Sequence, residues 1–184
     1  MTIQISYKNN ALKNKMGNLI LFVNDKFDIK GLKQYISSSE NEYISDLLKN
    51  SDLKKSLLVF DYSSKRRIIL VSVKSNIQNS KIENLGAQLY GILKGKSKYE
   101  YFINLESINT KHQNFISHCL HGLKLKSYEF EKYKTKKKLK HIKISVIGKM
   151  SKQSAHTQKK FNAIEEGTFY TRDLVSEPGN VLHP

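Results

Sequence analysis

Hydrophobic positions fall into short blocks along this chain, and the blocks switch between the alternation of a strand and the roughly 3.6-residue period of a helix. Ile3-Gln-Ile-Ser-Tyr7 alternates and predicts an opening strand. Asn18-Leu-Ile-Leu-Phe-Val23 is continuously apolar after its first residue, the pattern of a strand covered on both faces. Ser39 with Glu42 three residues later is a capping-box signature, and Tyr43, Ile44, Leu47 and Leu48 then recur at helical spacing. Ser56-Leu-Leu-Val-Phe60 and Arg67-Ile-Ile-Leu-Val-Ser-Val73 predict neighbouring strands, with residues 61–66 as a hairpin loop.

The second predicted helix has the clearest pattern. Ser80 and Glu83 form another capping signature; Ile82, Leu85, Leu89 and Leu93 share a face; Gly95 is placed to end it. Gly86 on that face predicts a close approach to a sheet. Tyr99 to Leu105 returns as a strand. Thr110 and Gln113 are placed to cap a third helix with Phe115, Ile116, Cys119, Leu120 and Leu123 inward. His141 to Ile147 predicts a last strand, ended by Gly148. A long helix is expected from about 151 to 177, with Ala163, Gly167, Tyr170 and Leu174 on one stripe and Glu166, Asp173 and Glu177 on another. Pro178 disfavours helix at Glu177 and stops it. Strands alternating with helices argue for an α/β layer structure, and the early strand pairs argue for a mixed sheet.

At 184 residues the chain fits one domain with an appended segment. No apolar run approaches the ~20 residues that span a bilayer. The start lacks a basic–apolar–small signal layout, and Cys119 is the single cysteine, so no internal disulfide forms; together these point to a reducing cytoplasm. Lys and Arg number 32 against 16 Asp and Glu, a net charge of +16. A polyanion-binding module is the competing function class. Its candidate contacts are Lys134, Lys136, Lys137, Lys138 and Lys140, in a stretch from Lys132 to Lys143 where seven of twelve residues are lysine. Tyr128, Phe130 and Tyr133 stand beside it; the plainer reading is a solvated loop with these aromatics turned inward as strand or core residues.

Three stretches carry a family resemblance. Arg172-Asp-Leu-Val-Ser-Glu-Pro-Gly-Asn-Val-Leu-His-Pro184, Gly122 to Lys136, and the region from Arg66-Arg-Ile-Ile-Leu-Val71 through Lys81 to Leu93 resemble the cytosolic leucyl aminopeptidases, in family order. The match is to that family's N-terminal domain and the entry to its catalytic domain. The resemblance implies a macrodomain-like mixed sheet flanked by helices over residues 1–150, then a linker helix and the first residues of a catalytic domain over 151–184. It implies a parent that releases N-terminal amino acids from peptides, as a homohexamer, using two divalent metal ions (zinc or manganese) held by the catalytic domain. The partners implied are that domain and peptide substrates.

None of the family's catalytic or metal-binding residues maps onto this chain. The six Asp are scattered, and no set of carboxylates stands beside a plausible catalytic lysine. His118 and His121 share a helical face, but a metal site needs three or four ligands and no third lies locally, so they read as polar helix-face histidines. Cys119 reads as a buried inert thiol. The glycine-rich loops that macrodomains wrap around a diphosphate are absent. This segment alone is therefore expected to be inactive, with no metal of its own. Arg172, Asp173 and Glu177, near a helix end, are expected to act at the interface with the following domain.

Overall fold

A computed structural model describes residues 3–8, 17–94, 100–110, 112–135, 142–149, 152–179 and 181. Six strands of the described residues form one sheet: β1 (Ile3–Lys8), β2 (Asn18–Val23), β3 (Leu57–Ser63), β4 (Arg66–Ser72), β5 (Glu100–Asn104) and β6 (Ile142–Ile147). Their spatial order is β1-β6-β5-β2-β4-β3. All neighbours are parallel except β3 and β4, which form an antiparallel hairpin, so the sheet is mixed as expected. Among the described residues four α-helices flank it: α1 (Ser38–Lys49), α2 (Asn79–Lys94), α3 (Phe115–Lys126) and α4 (Lys152–Ser176). No helix among the described residues is long and apolar enough to cross a membrane.

The alternation of side chains along each strand divides the interior into two cores. Ile20, Phe22, Ile69, Val71, Tyr101, Ile103, Ile142, Ile144 and Val146 meet α2 and α3 on one face. Leu19, Leu21, Ile68, Leu70, Leu58 and Phe60 meet Ile44 of α1 and the turn around Leu32 and Ile36 on the other. Every residue of β2 is buried, which is why its sequence shows no alternation.

Local detail departs from the sequence pattern where a tertiary partner competes. The capping box of α1 is Ser37 with Glu40, not Ser39 with Glu42. Ser37 Oγ accepts from the Glu40 amide at 3.2 Å, and Glu40 Oε2 accepts from the Ser37 amide at 2.8 Å. Both serines have a glutamate three residues on; the choice follows Glu40, whose carboxylate is drawn inward by buried Arg66 at 2.6 Å. The hairpin loop shrinks to Ser64-Lys65, because Asp61 remains in β3 and binds Arg67 through two bonds of 2.6 and 2.8 Å.

The box expected at Ser80 and Glu83 does not form. α2 begins at Asn79, the amides of Lys81 and Ile82 bond Gln78 O, and Glu83 turns to His118 instead. Gly95 lies outside the described residues. The Thr110 and Gln113 caps are likewise displaced. α3 starts after Asn114, Thr110 Oγ1 donates to Ser75 O, and Gln113 O receives the Ser154 hydroxyl at 2.7 Å. Gly148, at φ +114, takes the left-handed conformation that ends β6.

Gly86 does permit a close approach, but to α3 and not to the sheet. A Cβ there would lie 1.9 Å from Cys119 O, and a Cβ at Gly122 of α3 would lie 1.9 Å from Glu83 O of α2. The two glycines face each other's helix backbones across one crossing, so α2 and α3 sit closer than side chains allow.

Candidate functional site

From Phe115 to Leu123 every residue of α3 is buried. Phe115, Ile116, Cys119, Leu120 and Leu123 enter the core shared with the sheet and α2. Ser117, His118 and His121 are buried too, and a buried polar group without a partner is costly. Their partners come from α2 and α4, and this requirement shapes α4.

Ser117 Oγ donates to Ser154 O at 2.9 Å. His118 Nδ1 pairs with Glu83 at 2.8 Å, and His121 Nδ1 pairs with Glu165 Oε1 at 2.8 Å. Lys124 Nζ donates to the other Glu165 oxygen and to Asn162, both at 2.8 Å. The Phe161 ring stacks on His121 at 4.2 Å and meets His118 edge-on at 4.9 Å. The two histidines are therefore not on an open helix face. Each is buried and held by a carboxylate of a different helix. Burial pushes the Cys119 thiol up to about 12, so it is inert at neutral pH.

The side of α4 facing α3 thus carries Ser154, Gln158, Phe161 and Glu165, all buried, of which only Phe161 is apolar. The apolar stripe of Ala163, Gly167 and Tyr170 points the opposite way and is exposed, with Leu174 partly covered. α4 also has no acidic residue in its first turn and no basic residue in its last, so charges do not complement its dipole. Its stability comes from tertiary packing.

Arg172, Asp173 and Glu177 come together at the C-terminal end of α4, where they hold residues 125–133 of the same chain. Arg172 donates to Leu125 O at 2.8 Å and lies over the Tyr128 ring at 5.5 Å. Asp173 accepts the Tyr128 hydroxyl at 2.8 Å. Glu177 takes Lys132 at 2.5 Å and also the Tyr133 hydroxyl. Tyr128 stacks on Phe169. The aromatics at 128, 130 and 133 are therefore neither strand nor core residues: they lie along α4. Of the polyanion candidates, Lys134 is exposed and pairs with Glu131 at 3.6 Å. Lys136, Lys137, Lys138 and Lys140 lie outside the described residues.

Hydrogen bonds from Lys132 and then Tyr133 hold the Glu177 carboxyl below its ordinary range. A depressed folded pKa means the contact contributes fully above the unfolded carboxyl value of about 4.3, and its contribution is lost as pH falls through the folded pKa. The Tyr133 ring resonances should therefore hold steady above the ordinary carboxyl value of about 4.3 and shift only at pH below it, as the contact opens. A shift already complete above that value would contradict this assignment.

Phe130, Glu131, Lys132, Tyr170, Asp173, Leu174 and Glu177 line an open groove of about 650 Å³ between this segment and α4. Among the described residues, no three His, Cys, Asp or Glu side chains converge as a metal site would require.

The family model of the cytosol aminopeptidase family, N-terminal domain, matches residues 20–137. Similar curated proteins include a "Probable cytosol aminopeptidase" of Bradyrhizobium sp., 37% identical over 67 residues (34% of this chain and 13% of the relative). One of Clostridium tetani is 30% identical over 80 residues (41% and 17%), and one of Caulobacter vibrioides is 26% identical over 124 residues (64% and 24%). The matched stretch thus spans less than a quarter of each relative's length. Among solved structures, a tomato leucine aminopeptidase mutant superposes with a TM-score of 0.75 at 21% identity, over 100% of this chain and 40% of its own. The bottromycin maturation enzyme BotP in complex with Mn gives a TM-score of 0.62 at 11% identity, over 92% of this chain and 34% of its own. At these identities the structural likeness is one of fold.

Proposed function

On the footing that the chain belongs to the cytosol aminopeptidase family as an N-terminal domain, we propose that it is the non-catalytic, orienting part of a metal-dependent exopeptidase. The parent reaction is release of N-terminal amino acids from peptides. The carrying observation is how the chain uses its potential ligands. Glu40 is tied to Arg66, Asp61 to Arg67, Glu83 to His118, Glu165 to His121 and Lys124, Asp173 to Tyr128, and Glu177 to Lys132.

A two-metal peptidase centre needs several carboxylates around ions roughly 4 Å apart. The described residues do not fit that requirement, because their carboxylates are spread pairwise across different helix and strand contacts. The proposal therefore assigns the zinc or manganese pair, and the chemistry it supplies, to sequence beyond this chain. What these residues contribute is a rigid body: a sheet with two cores, and a long helix fixed to it at two places. The relatives' names and the single cysteine favour action in the cytoplasm. The resemblance further implies a homohexamer with these domains on the outside.

The test compares the pure 184-residue chain with the complete polypeptide on leucine p-nitroanilide with added manganese. The chain alone should show no turnover above the metal blank, and the complete polypeptide should hydrolyse the substrate. Hydrolysis by the chain alone would overturn the proposal.

A further inference from the structure

A helix in a finished globular surface normally buries its apolar stripe and presents its polar one to water. The second half of α4 departs from this. Its covered side carries Phe169, stacked on Tyr128, together with Glu165 and Arg172, held by Lys124, His121 and Leu125 O, and apolar residues remain outside. Its opposite side carries Ala163, Ile164, Gly167, Tyr170, Thr171, Leu174 and Val175, spaced at three and four residues along one continuous face. Tyr170 is 66% exposed and Val175 81%. Such large apolar side chains in one row mark an interaction surface. The groove beside it extends the face, because Phe130 joins Tyr170 and Leu174 in its lining. Gly167 meets nothing on that side, so a partner can approach the helix backbone there.

We infer that this outward face of α4, from Ala163 to Val175, is the seat of the downstream domain of the same polypeptide, which lays apolar side chains along it. The inference rests on the reading of the chain as an aminopeptidase N-terminal domain. Two observations select this occupant. The superposed tomato enzyme has more than half its length outside the match, since the match covers 40% of it. The face also lies on α4, the last helix or strand among the described residues, which ends just before Pro178. Glu166 stands on its border and is exposed, so the docked surface should be apolar with a basic or amide donor at that rim. In this arrangement Glu165, Arg172, Asp173 and Glu177 act behind the interface: they fix the helix so that its outer face is presented at one angle.

The experiment reads thiol labelling at single introduced cysteines, Tyr170→Cys and Val175→Cys, with His156→Cys, an exposed position in the first half of α4, as the reference. The native thiol at Cys119 is buried and does not compete. In the 184-residue chain all three sites should label at similar rates. In the complete polypeptide the two sites on the face should slow by at least about tenfold relative to His156→Cys. Equal labelling in both proteins overturns the inference. So does slow labelling already present in the 184-residue chain that relaxes on dilution, which would make a second copy the occupant. A reading frame that stops at Pro184 overturns it as well. Peptidase activity is read on the same samples: an active complete protein with an open face sinks only the docking, whereas a protected face without activity sinks the parent reading and leaves the docking standing.

Discussion

Replacing Gly86 with alanine is expected to cost about 3 kcal/mol of unfolding free energy, at the upper end of what overpacking a core does. The added methyl would sit 1.9 Å from Cys119 O and 2.8 Å from its carbonyl carbon. These are backbone atoms of a helix buried on all sides, so no side-chain rotation relieves the overlap. α2 and α3 must separate, and each contributes Leu and Ile residues to the larger core. Gly122→Ala should behave alike, because its Cβ would meet Glu83 O, also at 1.9 Å. Gly91 and Gly167, which meet nothing within reach, are the controls, and alanine there should be neutral or stabilising by up to about 1 kcal/mol. Urea unfolding of the four variants checks this. A Gly86→Ala protein as stable as the parent would mean the two helices are farther apart than described.

Glu165→Ala should be the other severe change, at about 3–5 kcal/mol, the cost of removing one member of a buried charge group. Glu165 is 2% exposed and holds both His121 and Lys124. Its loss leaves a buried imidazole and an ammonium facing the gap between α3 and α4. Because α4 lacks helix-stabilising charges at its ends, its first half should loosen from α3, and helix content should fall along with stability. The distinguishing result is the rescue. Replacing Glu165, His121 and Lys124 together by Leu, Leu and Met removes every orphaned polar group, and most of the lost stability should return. A Glu165→Ala loss under about 1 kcal/mol would show that the group is solvated and that α4 is held by other contacts.

The variants differ in what they report about function. Those at the glycine crossing test whether the domain folds. Those at Glu165 test whether α4 is fixed to it. An orienting domain needs both, since a helix that swings free presents its outer face at no defined angle.

How far the sequence could be read depended on where the information for each feature resides. The helix around Leu85, Leu89 and Leu93 was legible because burial of one face imposes a period on the chain itself, and the strand at residues 18–23 because burial of both faces makes its run continuously apolar. Capping serines were legible as a class but not individually: Ser37 and Ser39 both qualify, and Arg66, on a strand 26 residues beyond Glu40, made the choice. Glu83 had two possible uses, a local cap and a distant imidazole, and the buried imidazole of His118 prevailed because its alternative was to go unpartnered. The histidines themselves gave one signal that could have been followed further. Two polar rings and a serine within the otherwise apolar run Phe115 to Leu123 demand partners, and for the rings Glu83 and Glu165 were the kind of residue to seek.

The sequence by itself determined that this is an alternating α/β chain with a mixed sheet. Periodicity is a local property, so this follows without coordinates. Only the tertiary structure decided the strand order, the pairing of Gly86 with Gly122, and the orientation of α4. A helix carrying one apolar and one polar stripe does not state which side it will cover. That was settled by α3, whose buried Ser117 and His121 required hydrogen-bonding partners and so drew Ser154 and Glu165 of α4 inward, leaving Tyr170 and Val175 facing out.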